Sequence, residues 1–219
     1  MSSPKKFAVV LSGNGVFDGS EIHEAVMTLY AIDRNDAEYQ IFAPDMEQHH
    51  VINHLTGEEM DEKRNVLVES ARIARGNAKP LSDYSVKDYD ALIIPGGFGA
   101  AKNLSSFAFE GTECTVNPEL ETAIKETHMA GKPIGALCIA PVILARVLGD
   151  VVLTVGQDQG TTDALTQMGA LAVKTRALDI ATDQENKIVT NACYMLDSSI
   201  NDIAKGANKV VKAMMKMMD

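Results

Sequence analysis

A doubly wound α/β sandwich with a mostly parallel central sheet is the fold class that this sequence predicts, and three observations predict it. Short apolar runs without polar alternation recur along the 219 residues, the pattern of strands buried on both faces of a parallel sheet. Segments with helical spacing of apolar residues lie between those runs. No Pro/Ser-rich or charge-run linker divides the chain, so residues 1–219 read as a single domain around one sizeable core.

In chain order, KKFAVVLS is the first strand, and SGNGVFDGSEIHEAV after it leads into a helix. Asp18 is placed to cap that helix with Glu21 three residues on, an arrangement like a capping box. YQIFAP and ALIIPGG are the next strands, bounded by Pro and Gly. NPELETAIKETHMAGK carries a full set of helix signals: Asn117 as cap, Pro118 in the first turn, Glu119 and Glu121 near the positive end, and Gly131 as the stop. PIGALC is a strand, APVILARVLG a helix with Pro141 tolerated in its first turn, and DVVLTVG a further strand. LAVKTRALDIATDQENKIVT reads as strands with DQENK as a solvated turn. In the last segment, Ile203, Ala207, Val210, Val211, Met214, Met215 and Met218 fall at helical spacing, which predicts a packed terminal helix rather than a membrane or partner-binding one.

Composition narrows the function. The formal charge of -10 disfavours a nucleic-acid partner, whose phosphates would be repelled. The apolar stretch PIGALCIAPVILA is too short, and too interrupted by Pro141, to span a bilayer, so no membrane role is expected. Three cysteines, Cys114, Cys138 and Cys193, form no CxxC pair, and MSSPKKFAVVLSG runs straight into a strand, so free thiols and a cytoplasmic location are expected. In QHHVINH, His50 and His54 stand four apart, but the β-branched residues between them and the lack of a cysteine or acidic partner make a loop or pocket rim the better reading than a metal site. GNG at Gly13 to Gly15 fails as a dinucleotide loop because Asp18 stands where the third glycine is needed.

The chemistry centres on Cys138, at the junction of the PIGALC strand and the helix after it. A strand-to-helix turn lifts a side chain to the C-terminal edge of the sheet, where ligands of such folds collect. Backbone N–H groups and the helix dipole there favour a thiolate, predicting a pKa below the usual cysteine value. Position alone leaves an inert buried cysteine equally open. Gly96 and Gly97 end the ALIIPGG strand, and their lack of side chains lets N–H groups approach a substrate oxygen, although a plain tight turn would need them too.

Together LSGNGVFDGSEIHE, YDALIIPGGFGAAKNL and GKPIGALCIAPVILA resemble the PfpI-like superfamily, relatives of the class I glutamine amidotransferases and of the Parkinson-associated deglycase. The resemblance covers essentially the whole chain. Within the superfamily it is similar above all to the ElbB branch, the isoprenoid-biosynthesis-associated glyoxalases. The resemblance implies a flavodoxin-like fold, Cys138 as nucleophile, Glu21 as the acid beside it, Gly97 and Ile139 as backbone oxyanion donors, and a homodimer.

The departures from the superfamily restrict the chemistry. Every histidine (His23, His49, His50, His54, His128) precedes Cys138, so the amidotransferase triad is missing. Ile139 stands where protease-like members carry a histidine, which removes that dyad as well. His23 lies two residues from Glu21, a spacing that points it to another helix face. A thiolate, a carboxyl group and two N–H donors still suffice for cofactor-free conversion of glyoxal to glycolate. The sulfur adds to an aldehyde, Glu21 moves a proton from the hemithioacetal carbon to its neighbour, and water cleaves the thioester. A small dicarbonyl is thus the expected substrate, with early glycation adducts as related targets. The alternative is an oxidation sensor in which Cys138 itself is the reactant, with Cys193 as a resolving thiol if the two strand ends adjoin.

Overall fold

The computed structural model describes residues 3–218. Its elements follow in the order β1 (Lys6–Val10), α1 (Ile22–Arg34), β2 (Glu38–Ala43), α2 (Val66–Ile73), β3 (Ala78–Pro80) and β4 (Ala91–Ile94). Then come α3 (Phe98–Lys102), α4 (Phe107–Glu110), α5 (Pro118–Met129), β5 (Ile134–Leu137), α6 (Pro141–Leu148) and β6 (Val152–Leu153). The chain ends with α7 (Gln159–Gln167), β7 (Leu171–Ala172), β8 (Ile180–Asp183), β9 (Ile188–Asn191) and α8 (Ile200–Lys216).

Seven strands form the central sheet in the order β3-β2-β1-β4-β5-β9-β8. All neighbours are parallel except β8 and β9, which pair antiparallel across the turn at Gln184 and Glu185. The α/β class read from the sequence is therefore borne out. Alternation along each strand shows why apolar runs were needed. Phe7, Val9, Ala91, Ile93 and Leu137 face a core layer shared with α1 and α8 through Ala25, Leu29, Ile32, Ile203, Val210 and Met214. Ala8, Val10, Leu92, Ile94 and Ala136 face the opposite layer, closed by Leu120 and Ile124 of α5 and Val142 to Ala145 of α6. A sheet covered on both sides leaves no position for polar alternation.

Local signals set several boundaries as expected. Asn117 Oδ1 accepts the N–H groups of Glu119 and Leu120, Pro118 opens α5, and Gly131 follows its end at φ 64°. Pro141 opens α6. One expectation fails: DVVLTVG contributes only β6, which pairs with β7 in a separate two-stranded sheet. Its edge is taken instead by side chains of the main sheet, as Asp183 Oδ2 accepts the Val152 N–H at 2.8 Å and Thr190 Oγ1 that of Thr154 at 2.9 Å. Among the described residues, no helix is long and apolar enough to cross a membrane.

The sheet order places the site. From β1 the chain winds outward through β2 and β3, then returns to β4 and proceeds the other way, so the direction switches between β1 and β4. Crevices outside the carboxyl ends of strands at such a switch point are where open α/β folds bind ligands. Leu11 to Gly15, Pro95 to Gly97 and Cys138 all emerge at this edge.

Candidate active site

Cys138 follows β5 directly and adopts φ 58°, in the left-handed region that non-glycine residues rarely enter. The strand ladder holds it there, its N–H donating to Asn191 O at 2.9 Å. Backbone strain of this kind costs on the order of 1–3 kcal/mol and persists where surrounding structure enforces it. The turn aims the side chain back under the sheet edge, so Cys138 is only 8% exposed. The backbone N–H groups of Gly97 and Ile139 lie on the side of its sulfur and favour its charged form. The resemblance implied the same two N–H groups as donors to a substrate oxygen.

The carboxyl against the thiol is Glu24. It is completely buried, and its Oε2 and the Cys138 Cβ both border the point where a Cβ on Gly96 would stand, so the charges of carboxyl and thiol act directly on each other. Its Oε2 accepts the Gly96 N–H at 3.0 Å, and its Oε1 accepts the Tyr194 N–H at 3.2 Å. Glu21, the residue singled out from sequence, instead caps α1: its Oε2 accepts the Glu24 N–H at 2.7 Å. The difference has a local cause. Asp18 does not cap the helix, because its Oδ2 accepts the Ile52 N–H at 2.7 Å. The helix therefore starts at Ile22, and the first-turn acid facing inward is Glu24, in line with buried Ala25, Thr28 and Leu29.

Gly96 and Gly97 are both required, for different reasons. A Cβ on Gly96 would lie 2.4 Å from Cys138 Cβ and 2.6 Å from Glu24 Oε2. One on Gly97, at φ 99°, would lie 2.3 Å from Glu21 N. Their N–H groups also divide the work. That of Gly96 is committed to Glu24 and is not free to hold a substrate oxygen, contrary to the role read for it from the sequence, whereas those of Gly97 and Ile139 lie toward the Cys138 sulfur.

Burial governs the electrostatics. It raises Glu24 to about 8, helped by repulsion from Glu21 and opposed by the hydrogen bonds from Tyr194, Cys138 and Gly96. Burial also pushes the Cys138 thiol well up, followed by the nearby charge of Glu24, while the Gly97 and Ile139 N–H groups pull it down. This reverses the acidified thiol expected from the turn and helix dipole, since desolvation outweighs both. Two groups so coupled release protons as a pair. At neutral pH Glu24 is largely protonated, and a neutral carboxyl can donate to sulfur where a carboxylate would repel it.

His23 stays at the rim. Its Nδ1 lies 2.9 Å from Tyr194 Oη and 3.8 Å from Glu21 Oε1. His49 packs on Phe109, while His54 stacks on Phe17 and accepts its N–H at 3.2 Å through Nε2. Cys193 ends beside the site: it follows β9, the neighbour of β5, and is buried. Sequence reasoning missed Glu24 and the Tyr194 backbone. An acid falling in register with Ala25, Thr28, Leu29 and Ile32 on an otherwise apolar face was the available signal for Glu24. Tyr194 had none, because only strand order brings it here.

Residues 14–151 match the DJ-1/PfpI family, and the chain belongs to it. It is 47% identical to the human glutamine amidotransferase-like class 1 domain-containing protein 3, mitochondrial, over 97% of this chain and 83% of that protein. The rat ES1 protein homolog, mitochondrial, is 46% identical over 97% of this chain and 84% of its own length. An isoprenoid biosynthesis protein with amidotransferase-like domain from Ehrlichia chaffeensis superposes with a TM-score of 0.92 at 35% identity, covering 98% of this chain and 100% of that one. The mitochondrial relatives overturn the cytoplasmic location expected from the sequence. That expectation rested on unpaired cysteines and on the stretch MSSPKKFAVVLSG running straight into a strand; free thiols report reducing conditions without singling out one compartment.

Proposed function

We propose that this DJ-1/PfpI protein is a cofactor-free, glutathione-independent glyoxalase of the ElbB branch, converting glyoxal to glycolate through a hemithioacetal on Cys138. The observation that carries the reading is the buried pair of Cys138 and Glu24, with N–H donors of Gly97 and Ile139 directed at the sulfur. The likeness to the Ehrlichia isoprenoid biosynthesis protein supports the branch. In this mechanism the Cys138 sulfur adds to one aldehyde carbon, and the Gly97 and Ile139 N–H groups hold the oxygen that becomes negative. The proton on that carbon is acidified by the neighbouring carbonyl. Glu24 removes it and returns a proton to the second carbon, a role for which a pKa near the working pH is suited. The glycolyl thioester that results is cleaved by water, which restores the thiol. Early glycation adducts enter the same route through their carbonyl carbon. A homodimer belongs to this reading, with exposed Ile22, Val26 and Tyr30 along α1 as its candidate face.

The test is turnover of glyoxal in heavy water without glutathione or metal, with Cys138→Ala as the background. Glycolate carrying solvent deuterium at its methylene is expected, because a proton held on Glu24 exchanges with solvent. Glycolate without deuterium would count against proton transfer by Glu24. No glycolate above the background would overturn the glyoxalase assignment and favour the sensor reading, in which the thiol changes only its own oxidation state.

A further inference from the structure

The sheet brings a second thiol to Cys138. Leu137 and Asn191 are register partners on β5 and β9, and the Cys138 N–H continues the ladder to Asn191 O at 2.9 Å. Cys138 is thereby level with Ala192, one residue before Cys193. Paired strands lie about 4.8 Å apart, and Cys193 is one Cα step of about 3.8 Å beyond Ala192, where the chain leaves β9 for a helical turn; a step across that spacing keeps the pair within reach of the roughly 4.4–6.8 Å that a disulfide spans, and a charge on the Cys138 sulfur is near enough to raise the Cys193 thiol. Both residues leave their strands in the left-handed region, at φ 58° for Cys138 and 43° for Cys193. Both side chains belong to the core layer under α1 and α8. The Glu24 carboxyl lies between them: its charge acts on both thiols, and its Oε1 accepts the N–H of Tyr194, the residue after Cys193.

From this geometry we propose that Cys193 is a resolving thiol for Cys138, and that hydroperoxides convert the pair to an intramolecular disulfide which closes the site reversibly. The Cys138 sulfur attacks the outer peroxide oxygen, the O–O bond breaks, and the alcohol or water leaves, giving a sulfenic acid. The Cys193 sulfur then attacks the Cys138 sulfur, the S–O bond breaks, and hydroxide leaves as water with the proton that Cys193 gives up through Glu24. In sum, two thiols and one hydroperoxide yield one disulfide, one alcohol and one water. In the reduced protein the Cys193 thiol donates weakly to Asn191 Oδ1 at 3.1 Å, a contact that the new bond replaces. Resolution competes with a second oxidation of Cys138 to the sulfinic acid, which thiols do not reverse. Cys114 takes no part; it sits in the opposite half of the fold, where its carbonyl accepts from Arg146 Nε.

The proposal stands on the two thiols and is independent of the glyoxalase reading. Full-length protein is treated with one equivalent, then with excess, hydrogen peroxide and examined by intact mass and non-reducing peptide mapping. The wild type should lose the mass of two hydrogens, yield a peptide linking Cys138 to Cys193, and recover its original mass with dithiothreitol. Cys193→Ser and Cys193→Ala should instead gain two oxygens on Cys138, with at least about tenfold more sulfinic acid than wild type at equal dose. Circular dichroism of both variants confirms that they fold. Sulfinic acid on Cys138 of the wild type at the same rate as in the variants would overturn the proposal, as would a disulfide between any other pair.

Discussion

Replacing Glu24 with glutamine should tilt the dependence of stability on pH, and the size of the tilt follows from burial. The carboxyl goes from 4.5 in the open chain to about 8 in the fold. A raised pKa means that the folded state holds a proton that the unfolded state has released, so the stabilisation is complete below about 4.5 and is lost as pH rises through about 8. Each pH unit in that window costs the wild type about 1.4 kcal/mol, or roughly 5 kcal/mol across the whole of it. Glutamine does not titrate. It also has one acceptor where the carboxyl offers two, so either the Gly96 or the Tyr194 N–H loses its partner at a cost of about 1–3 kcal/mol. That penalty is the same at every pH. The comparison therefore rests on slopes: urea unfolding of wild type and Glu24→Gln at several pH values from 5 to 7.5 should give lines that diverge by about 1.4 kcal/mol per pH unit in favour of the variant. Parallel lines would mean that Glu24 titrates as an ordinary carboxylate and would remove the neutral acid from the site.

Activity should separate the two acids of α1. Glu24→Gln is expected to lower dicarbonyl turnover by roughly a hundredfold or more, whereas Glu21→Gln should change it only a few-fold while costing about 1 kcal/mol of stability through the weakened cap. If steady-state assays show Glu21→Gln to be the deleterious change, the proton carrier is misassigned. Cys138→Ser should retain the fold by circular dichroism and lose turnover, because a serine hydroxyl is far less acidic than a thiol and, without a histidine base beside it, stays protonated. Because burial holds the Cys138 thiol well above the ordinary cysteine value, alkylation of Cys138 by iodoacetamide should be slow at neutral pH and still rising with pH beyond the ordinary cysteine range; a plateau already reached at pH 6 would refute the burial argument.

The apolar runs made the sheet legible before any coordinate was known. Phe7, Ala8, Val9 and Val10 alternate between two cores, and only a strand covered on both faces tolerates that composition. Cys138 was legible for a similar reason, as the polar interruption between an apolar strand and a proline-started helix. The fate of DVVLTVG was not. Two apolar residues suffice for β6 to seal the edge of the core, and its partner β7 lies beyond α7, so pairing was decided by tertiary contacts rather than by composition.

The acid was lost by three residues, and the loss shows what sequence signals can carry at a helix start. Asp18 followed by Glu21 satisfies a capping pattern, but a cap needs a free side chain, and Asp18 is claimed by the Ile52 N–H from a loop more than thirty residues away. Once that bond forms, the chain from Asp18 to Ser20 remains a turn, tied by the Gly15 N–H to Ser20 O and the Ser12 N–H to Ser20 Oγ. Glu21 then becomes the cap, and its N–H donates to Gly96 O, which locks the start of α1 to the loop after β4. The same loop turns its Gly96 N–H onto Glu24, and Gly97 its N–H onto Cys138. Helix start, glycine turn and the Cys138 turn are thus one connected unit, in which a shift of the cap by one position would rotate Glu24 by about 100° and withdraw it from the thiol.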